Sequence, residues 1–301
     1  MQGLFSINGQ IQAPDDANLS PLDRGFLFGD NVFEVLVGFK KNILELYPHL
    51  TRLRESAGMI SLEIPWTNEQ LAFEIEALLE VTHFQKTYIR LVVTRGESLG
   101  LGISSNLKPN RFIYCFPAAI MEANTYQQGI KLKSQSQAYT NRGAVAKTGN
   151  YLSSITALSA ANKSGFDDVL WVNSELEVTE ASTSNIFLLG REGDFLEIAT
   201  PPAYSGLLLG ITRRRIISIL TNSKIKVTER TIYQDEIPKF DEGFLCSTVK
   251  GLVPIAAIDS HRLHTMRTNS TYRLILRLFN AWVASEIGYQ VNWNTGAKAS
   301  K

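Results

Sequence analysis

One polar stretch, "MEANTYQQG" at 121–129, divides this chain of 301 residues into two parts with different patterning. Before it, strand and helix signals alternate. "GLFSINGQIQAP" has apolar alternation around Asn8-Gly9, the dipeptide that most favours a tight hairpin. "DNVFEVLVGFKKNILELYPHLTRLRESAGMI" reads as strand, turn, strand and helix, with Leu50, Leu53, Ala57 and Ile60 at helical spacing. "NEQLAFEIEALLEVTHF" predicts an amphipathic helix, and "TYIRLVVTRG" and "RFIYCFPAAI" predict strands. After the break, "IKLKSQSQA" predicts a strand and residues 150–163 a helix. "DDVLWVN" and "TSNIFLLG" follow as strands, "GITRRRIISILTNS" as a helix, "IKVTERTI", "EGFLCST" and "LVPIAAID" as strands, and "TYRLILRLFNAWVASEIG" as a closing helix. The expectation is a two-domain α+β or α/β protein: a small α+β domain over 1–118, a connector over 119–128, a larger domain over 129–287 and a polar, frayed tail over 288–301.

Charge excludes several functions. Thirty basic residues oppose 29 acidic ones, so net charge supplies no attraction to nucleic acid or an anionic membrane. No apolar run reaches the roughly 20 residues of a membrane span, and the N-terminus lacks a signal-peptide pattern. A cytoplasmic address is the expectation. Cys115 and Cys246 lie in apolar runs and read as buried thiols; no Cys/His spacing predicts a metal site. Arg214 and Arg215 read as a solvated helix face.

A few residues stand out chemically. Lys147, in "VAKTGNYLSS", has only small or uncharged sequence neighbours. Desolvation of such a lysine favours the neutral amine, a nucleophile for a carbonyl carbon. The alternative is a lysine snorkelling from a strand end. Gly210-Ile211-Thr212 opens a predicted helix, whose first N–H groups suit a phosphate, or where Thr212 is an ordinary cap. Glu180, in "VTEASTSNIF", is flanked by small hydroxyl residues that would keep a carboxylate ionised, or it is a loop glutamate in water. Ser247 and Thr248 end a strand, and Arg52 and Arg54 share a helix on which one arginine could face an anion. A lysine, an anion cradle and an acid are together what pyridoxal 5'-phosphate (PLP) requires.

From about residue 3 to 285 the chain resembles the class IV (fold type IV) pyridoxal-phosphate aminotransferases. The motifs "GDNVFE", "HLTRL", "AKTGNYLSS", "VTEASTSNIF", "LGITR" and "STV…VPI" stand in that family's order. The family comprises branched-chain and D-amino-acid aminotransferases and 4-amino-4-deoxychorismate lyases. The resemblance implies a D-amino-acid-aminotransferase-like fold, with a larger pseudo-barrel domain, the cofactor at the domain junction and a homodimer or larger assembly. It implies that Lys147 forms the Schiff base and shuttles the proton, and that Glu180 pairs with the pyridine nitrogen. Arg52, not Arg54, binds phosphate with Ile211, Thr212, Ser247 and Thr248. Tyr151 reaches the phenolic oxygen and Leu208 supports the ring. Phe33, Tyr88, Arg90 and Val249 line the substrate pocket, with Arg90 meeting a side-chain carboxylate.

The resemblance implies ping-pong amino transfer between an amino acid, of the L-branched-chain type, and a 2-oxo acid such as 2-oxoglutarate. "TYIRLVV" and Phe33 match the branched-chain enzymes. The loop "ESLGLGISS" lacks the arginine and histidine of the D-amino-acid enzymes, and Glu34-Val35 replaces the threonine pattern of the lyases. Val37 stands where the branched-chain enzymes often carry a basic residue, and "STVKG" where they often carry "GTAAE". The lyase and the D-amino-acid enzyme are the alternatives within the family; a degenerate binding protein is the one outside enzymes.

Overall fold

The computed structural model describes residues 3–119, 121–137, 143, 145–193, 195–291 and 293. Its contacts divide the chain into two units. The first holds Met1–Ile120, Ala146–Tyr151 and Glu286–Lys301; the second holds Met121–Val145 and Leu152–Ser285. The chain thus returns to the first unit for six residues that include Lys147, a crossing that a linear division does not contain.

In the first unit the elements are β1 (Leu4–Ile7), β2 (Gln10–Gln12), α1 (Arg24–Phe28), β3 (Asn31–Phe39), β4 (Asn42–Ile43), α2 (Leu46–Met59), α3 (Asn68–Thr82), β5 (Lys86–Thr94) and β6 (Asn110–Pro117). Asn8 and Gly9 both take positive φ, 51° and 91°, as the hairpin between β1 and β2 demands. The strands form an antiparallel sheet in the order β2-β1-β6-β5-β3-β4. One face is packed with α2 and α3 into a core that includes Val32, Leu36, Leu50, Leu53, Leu71, Ile75, Ile89 and Leu91. The reciprocal Thr67–Gln70 capping box starts α3. Ile60, read as helical, is instead the residue that closes α2. The opposite face carries Phe33, Val35, Val92, Phe112, Tyr114 and Ile7, joined by Tyr151.

The second unit contains α4 (Ala123–Gln128), β7 (Ile130–Ser136), α5 (Leu152–Lys163), β8 (Asp168–Val172), β9 (Val178–Ala181), β10 (Asn185–Glu192), β11 (Phe195–Thr200), α6 (Ile211–Asn222), β12 (Thr228–Glu229), β13 (Glu242–Ser247), β14 (Gly251–Ile258), β15 (His261–Arg262) and α7 (Thr271–Ile287). Strand order is β12-β11-β10-β13-β14-β7-β8-β9, with β15 on β14. A three-residue turn joins β9, at one edge of this order, to β10, near the other, so the sheet curls into a half-barrel. Its core includes Leu132, Leu170, Val178, Ile186, Leu188, Leu245 and Ile255.

Several sequence expectations need correction. The polar "MEANTYQQG" forms α4, held because the Tyr126 hydroxyl donates to the Lys250 carbonyl at 2.7 Å, an anchor that composition does not reveal. "IKVTERTI" is a strand only at Thr228–Glu229, while "FLEIAT", not read as a strand, is β11. Within the tail, Trp293 is buried edge-on to Phe39 at 5.5 Å. Most of the tail's other residues lie outside the described set. Arg215 is not a purely solvated arginine: its guanidinium lies 4.8 Å from the Trp282 ring centroid. Both thiols are free and buried, and burial pushes Cys115 up to about 12. No helix of the described residues is long and apolar enough to cross a membrane.

Candidate functional site

In the first unit, a free strand edge positions Lys147. β5 covers one side of β3 along its whole length, but β4 covers the other side only at Gly38–Phe39. Residues 147–148 take the uncovered end. Val32 and Thr148 form an antiparallel bridge, and the Phe33 N–H donates to the Lys147 carbonyl at 3.0 Å. The Lys147 N–H donates to Ser56 Oγ on α2 at 3.1 Å. Two glycines make the approach close enough. A Cβ on Gly149 would come within 2.7 Å of Asn31 Nδ2, and one on Gly29, at φ 66°, within 2.3 Å of Asn150 Oδ1. "GDN" and "GN" therefore interlock, each glycine accepting the other motif's asparagine.

The Lys147 side chain then reaches the open sheet face. Its Nζ donates to the Tyr151 hydroxyl at 3.4 Å and lies 4.6 Å from the Phe33 ring centroid. Tyr151 stands edge-on to Phe33 at 5.6 Å. The Arg90 guanidinium lies 3.9 Å from the centroid of the same ring, and no carboxylate pairs with it among the described residues. Tyr88, two residues before Arg90, is half-buried on the same face of β5.

Arg52 occupies the helix side of the sheet. Its Nε and Nη2 donate to Glu34 Oε1 and Oε2, both at 2.7 Å, and His49 Nδ1 donates to Oε2 at 2.7 Å. Glu34 is wholly buried. Burial alone would raise its carboxyl; the Arg52 guanidinium and the hydrogen bonds overcome this and hold it down at about 2. Burial, ahead of the opposing pull of Glu34, lowers His49, which keeps the imidazole neutral. Arg54 faces elsewhere, donating to Asn68 Oδ1 at 2.7 Å and to the Ile64 carbonyl at 3.3 Å.

In the second unit the centre is Glu180, which lies on β9 rather than in a loop. Its Oε2 accepts from Asn185 Nδ2 at 3.1 Å and its Oε1 from the Leu208 N–H at 3.3 Å. Asn185 Nδ2 also donates to the Leu208 carbonyl at 2.9 Å. Gly210 caps α6, and a Cβ there would overlap Asn185 Oδ1 at 1.9 Å. Asn185 thus ties Glu180, Leu208 and the start of α6 together. No side chain caps α6, whose first turn carries buried Ile211 and half-buried Thr212. Arg213 points into the protein, donating to the Pro201 carbonyl at 2.8 Å and pairing with Glu229 at 2.7 Å. Cys246 stands opposite Asn185, so half-buried Ser247 and the turn with Thr248 and Val249 follow at the same strand end.

Each unit by itself holds groups of the kind that PLP requires. The first unit offers a lysine amine beside a phenol and an aromatic ring. The second offers a carboxylate steered by two N–H donors, and a 12-residue helix whose N-terminus no side chain satisfies. Sequence reasoning missed Glu34, His49, Ser56 and Asn185. Glu34 had one visible signal, a lone acid inside the apolar run "NVFEVLVGF". No group of three or more His, Cys, Asp or Glu that could hold a metal occurs among the described residues.

Comparison with known proteins is consistent with this chemistry. Residues 31–258 match the family described as Amino-transferase class IV. A putative branched-chain-amino-acid aminotransferase of Methanocaldococcus jannaschii is 29% identical, covering 91% of this chain and 94% of its own. A branched-chain-amino-acid aminotransferase of Pseudomonas aeruginosa is 26% identical over 98% of each. Among solved structures, a branched-chain aminotransferase from Thermoproteus uzoniensis with norvaline superposes with a TM-score of 0.82 at 25% identity, covering 95% of each chain.

Proposed function

Because the chain belongs to the PLP-dependent class IV aminotransferases, we propose that it moves an amino group between an L-branched-chain amino acid and a 2-oxo acid such as 2-oxoglutarate, by a ping-pong route on Lys147. The observation that carries this reading is the shared Phe33 ring. Two cations converge on it: the amine of Lys147 and the guanidinium of Arg90. One suits a reacting amine, the other an acid group of the substrate.

PLP, when bound, withdraws electrons from the substrate Cα and makes its proton acidic. The chain's own residues do the rest. Lys147 Nζ would hold the cofactor, and its free amine would take the proton from the substrate Cα and deliver it to the cofactor's C4′. Tyr151 keeps Nζ directed by its hydroxyl. Glu180, oriented by Asn185 and the Leu208 N–H, pairs with the pyridine nitrogen. Arg52, Ile211, Thr212, Ser247 and Thr248 take the phosphate, and Leu208 supports the ring. Phe33, Tyr88, Arg90 and Val249 receive the substrate, an apolar side chain lying on Phe33 and a side-chain carboxylate meeting Arg90.

The branched-chain names of the relatives support this substrate class. The reading includes a cytoplasmic address and a homodimeric or larger assembly. Leu99, Leu101 and Ile103, 62–77% exposed in the first unit, are apolar surface of the kind a subunit covers. Light scattering after size exclusion measures that assembly. For function, the PLP-loaded protein is mixed with single amino acids and the cofactor absorbance is followed. Conversion to pyridoxamine phosphate is expected with leucine, isoleucine and valine. Failure of all three rejects the substrate class, and pyruvate released from aminodeoxychorismate without added 2-oxo acid identifies a lyase.

A further inference from the structure

The open face of the first unit's sheet holds a phenol, that of Tyr114, that the proposed function leaves without a task. Register places Phe5, Tyr114, Arg90 and Val35 in one transverse row across β1, β6, β5 and β3. The adjacent row is Ile7, Phe112, Val92 and Phe33. Side chains directly opposite in antiparallel pairs share a face, so Tyr114 is the immediate cross-strand neighbour of Arg90. The Tyr114 ring is fixed edge-on to Phe5 at 4.7 Å. Its hydroxyl makes no hydrogen bond within the described residues, and it is not among the polar atoms sealed from solvent. Burial raises the phenol and the Arg90 charge pulls it back, so the hydroxyl and the guanidinium lie close enough to sense each other.

A fixed ring carrying an unused hydroxyl beside an unpaired guanidinium is a two-donor arrangement for one anion. We propose that Tyr114 is a specificity-determining residue whose hydroxyl, with Arg90, receives the side-chain carboxylate of a dicarboxylic substrate. This rests on the proposed function for the identity of the substrate. The phenol O–H donates to one carboxylate oxygen, and the guanidinium N–H groups donate to the carboxylate alongside it. An apolar side chain in the same place gains nothing from the hydroxyl, so Tyr114 tilts selection toward the dicarboxylic partner.

Tyr114→Phe tests this, because the ring and its contact with Phe5 are kept. Two readouts are taken on the holoenzyme: with one amino donor held saturating, the ratio of kcat/KM for 2-oxoglutarate to that for 4-methyl-2-oxopentanoate, and, in the PLP form without donor, the calorimetric affinity for glutarate, which cannot react. The expected result is a fall of about tenfold in both, the worth of one hydrogen bond to a charged group. An unchanged glutarate affinity overturns the proposal whatever the turnover, and so does an unchanged ratio in an active enzyme. Weakened glutarate binding in a protein that transaminates neither 2-oxo acid leaves the subsite standing and rejects the proposed function instead.

Discussion

Replacing Glu34 by Gln removes the charge at the centre of a buried network and leaves its shape. Glu34 is wholly buried, and three N–H groups from Arg52 and His49 reach its oxygens at 2.7 Å. Burial pushes the carboxyl up; the Arg52 guanidinium more than reverses this and holds it at about 2, against 4.5 for an ordinary glutamate. A depression of that size contributes about 3 kcal/mol of stability at neutral pH. The sign follows from the direction. The contribution is complete above about 4.5 and is lost as pH falls toward about 2, where the folded protein must also bind the proton. Glu34→Gln also leaves the Arg52 guanidinium buried without its counter-charge, so the expected cost at pH 7 is about 3–5 kcal/mol. Urea unfolding of wild type and variant, both cofactor-free, measures the difference from pH 7 down to about 3. The gap is expected to narrow below about pH 4.5, because the unfolded chain then binds a proton at Glu34 that the folded protein excludes until about 2. A gap under about 1 kcal/mol at pH 7, or one that stays constant with pH, refutes the reasoning.

Gly210→Ala places a methyl 1.9 Å from Asn185 Oδ1, so Asn185 must move off Glu180 and Leu208. PLP titration of the apo protein is expected to show affinity weakened by at least about tenfold. Lys86 is buried at the start of β5, where burial lowers its amine to about 8 and its Nζ donates to the Trp293 carbonyl. A base lowered on folding is less stable when protonated, so stability rises with pH from about 8 to about 10.5. Lys86→Met is expected to flatten that rise in thermal unfolding; an unchanged slope argues against the buried amine.

Much of the fold is legible because its signals are local. Asn8-Gly9 announces its hairpin, and Leu71, Ile75, Leu78 and Leu79 announce α3 at helical spacing. The misreadings arise where distant contacts decide. α4 depends on Tyr126 reaching Lys250, and "FLEIAT" becomes a strand by pairing with β10. The site shows the same division. Lys147, Glu180 and the "GIT" helix start, proposed to hold the cofactor, stand out in the sequence through their immediate neighbours. Glu34 acts through His49 and Arg52, 15 and 18 positions away, Asn185 joins nearby Glu180 to Leu208, 23 positions away, and Tyr114 matters because register places it opposite Arg90. Arg213 stands beside Arg214 and Arg215 in the sequence, and only its contacts with Pro201 and Glu229, 12 and 16 positions away, set it apart.

The central claim is that Lys147 is the amine that carries the cofactor. Borohydride reduction of the PLP-loaded protein, followed by proteolysis and mass spectrometry, locates the attachment directly. The pyridoxyl group is expected on the peptide containing Lys147 and absent from every peptide of Lys147→Ala. Attachment at another lysine, or a wild-type protein that acquires none, contradicts the account.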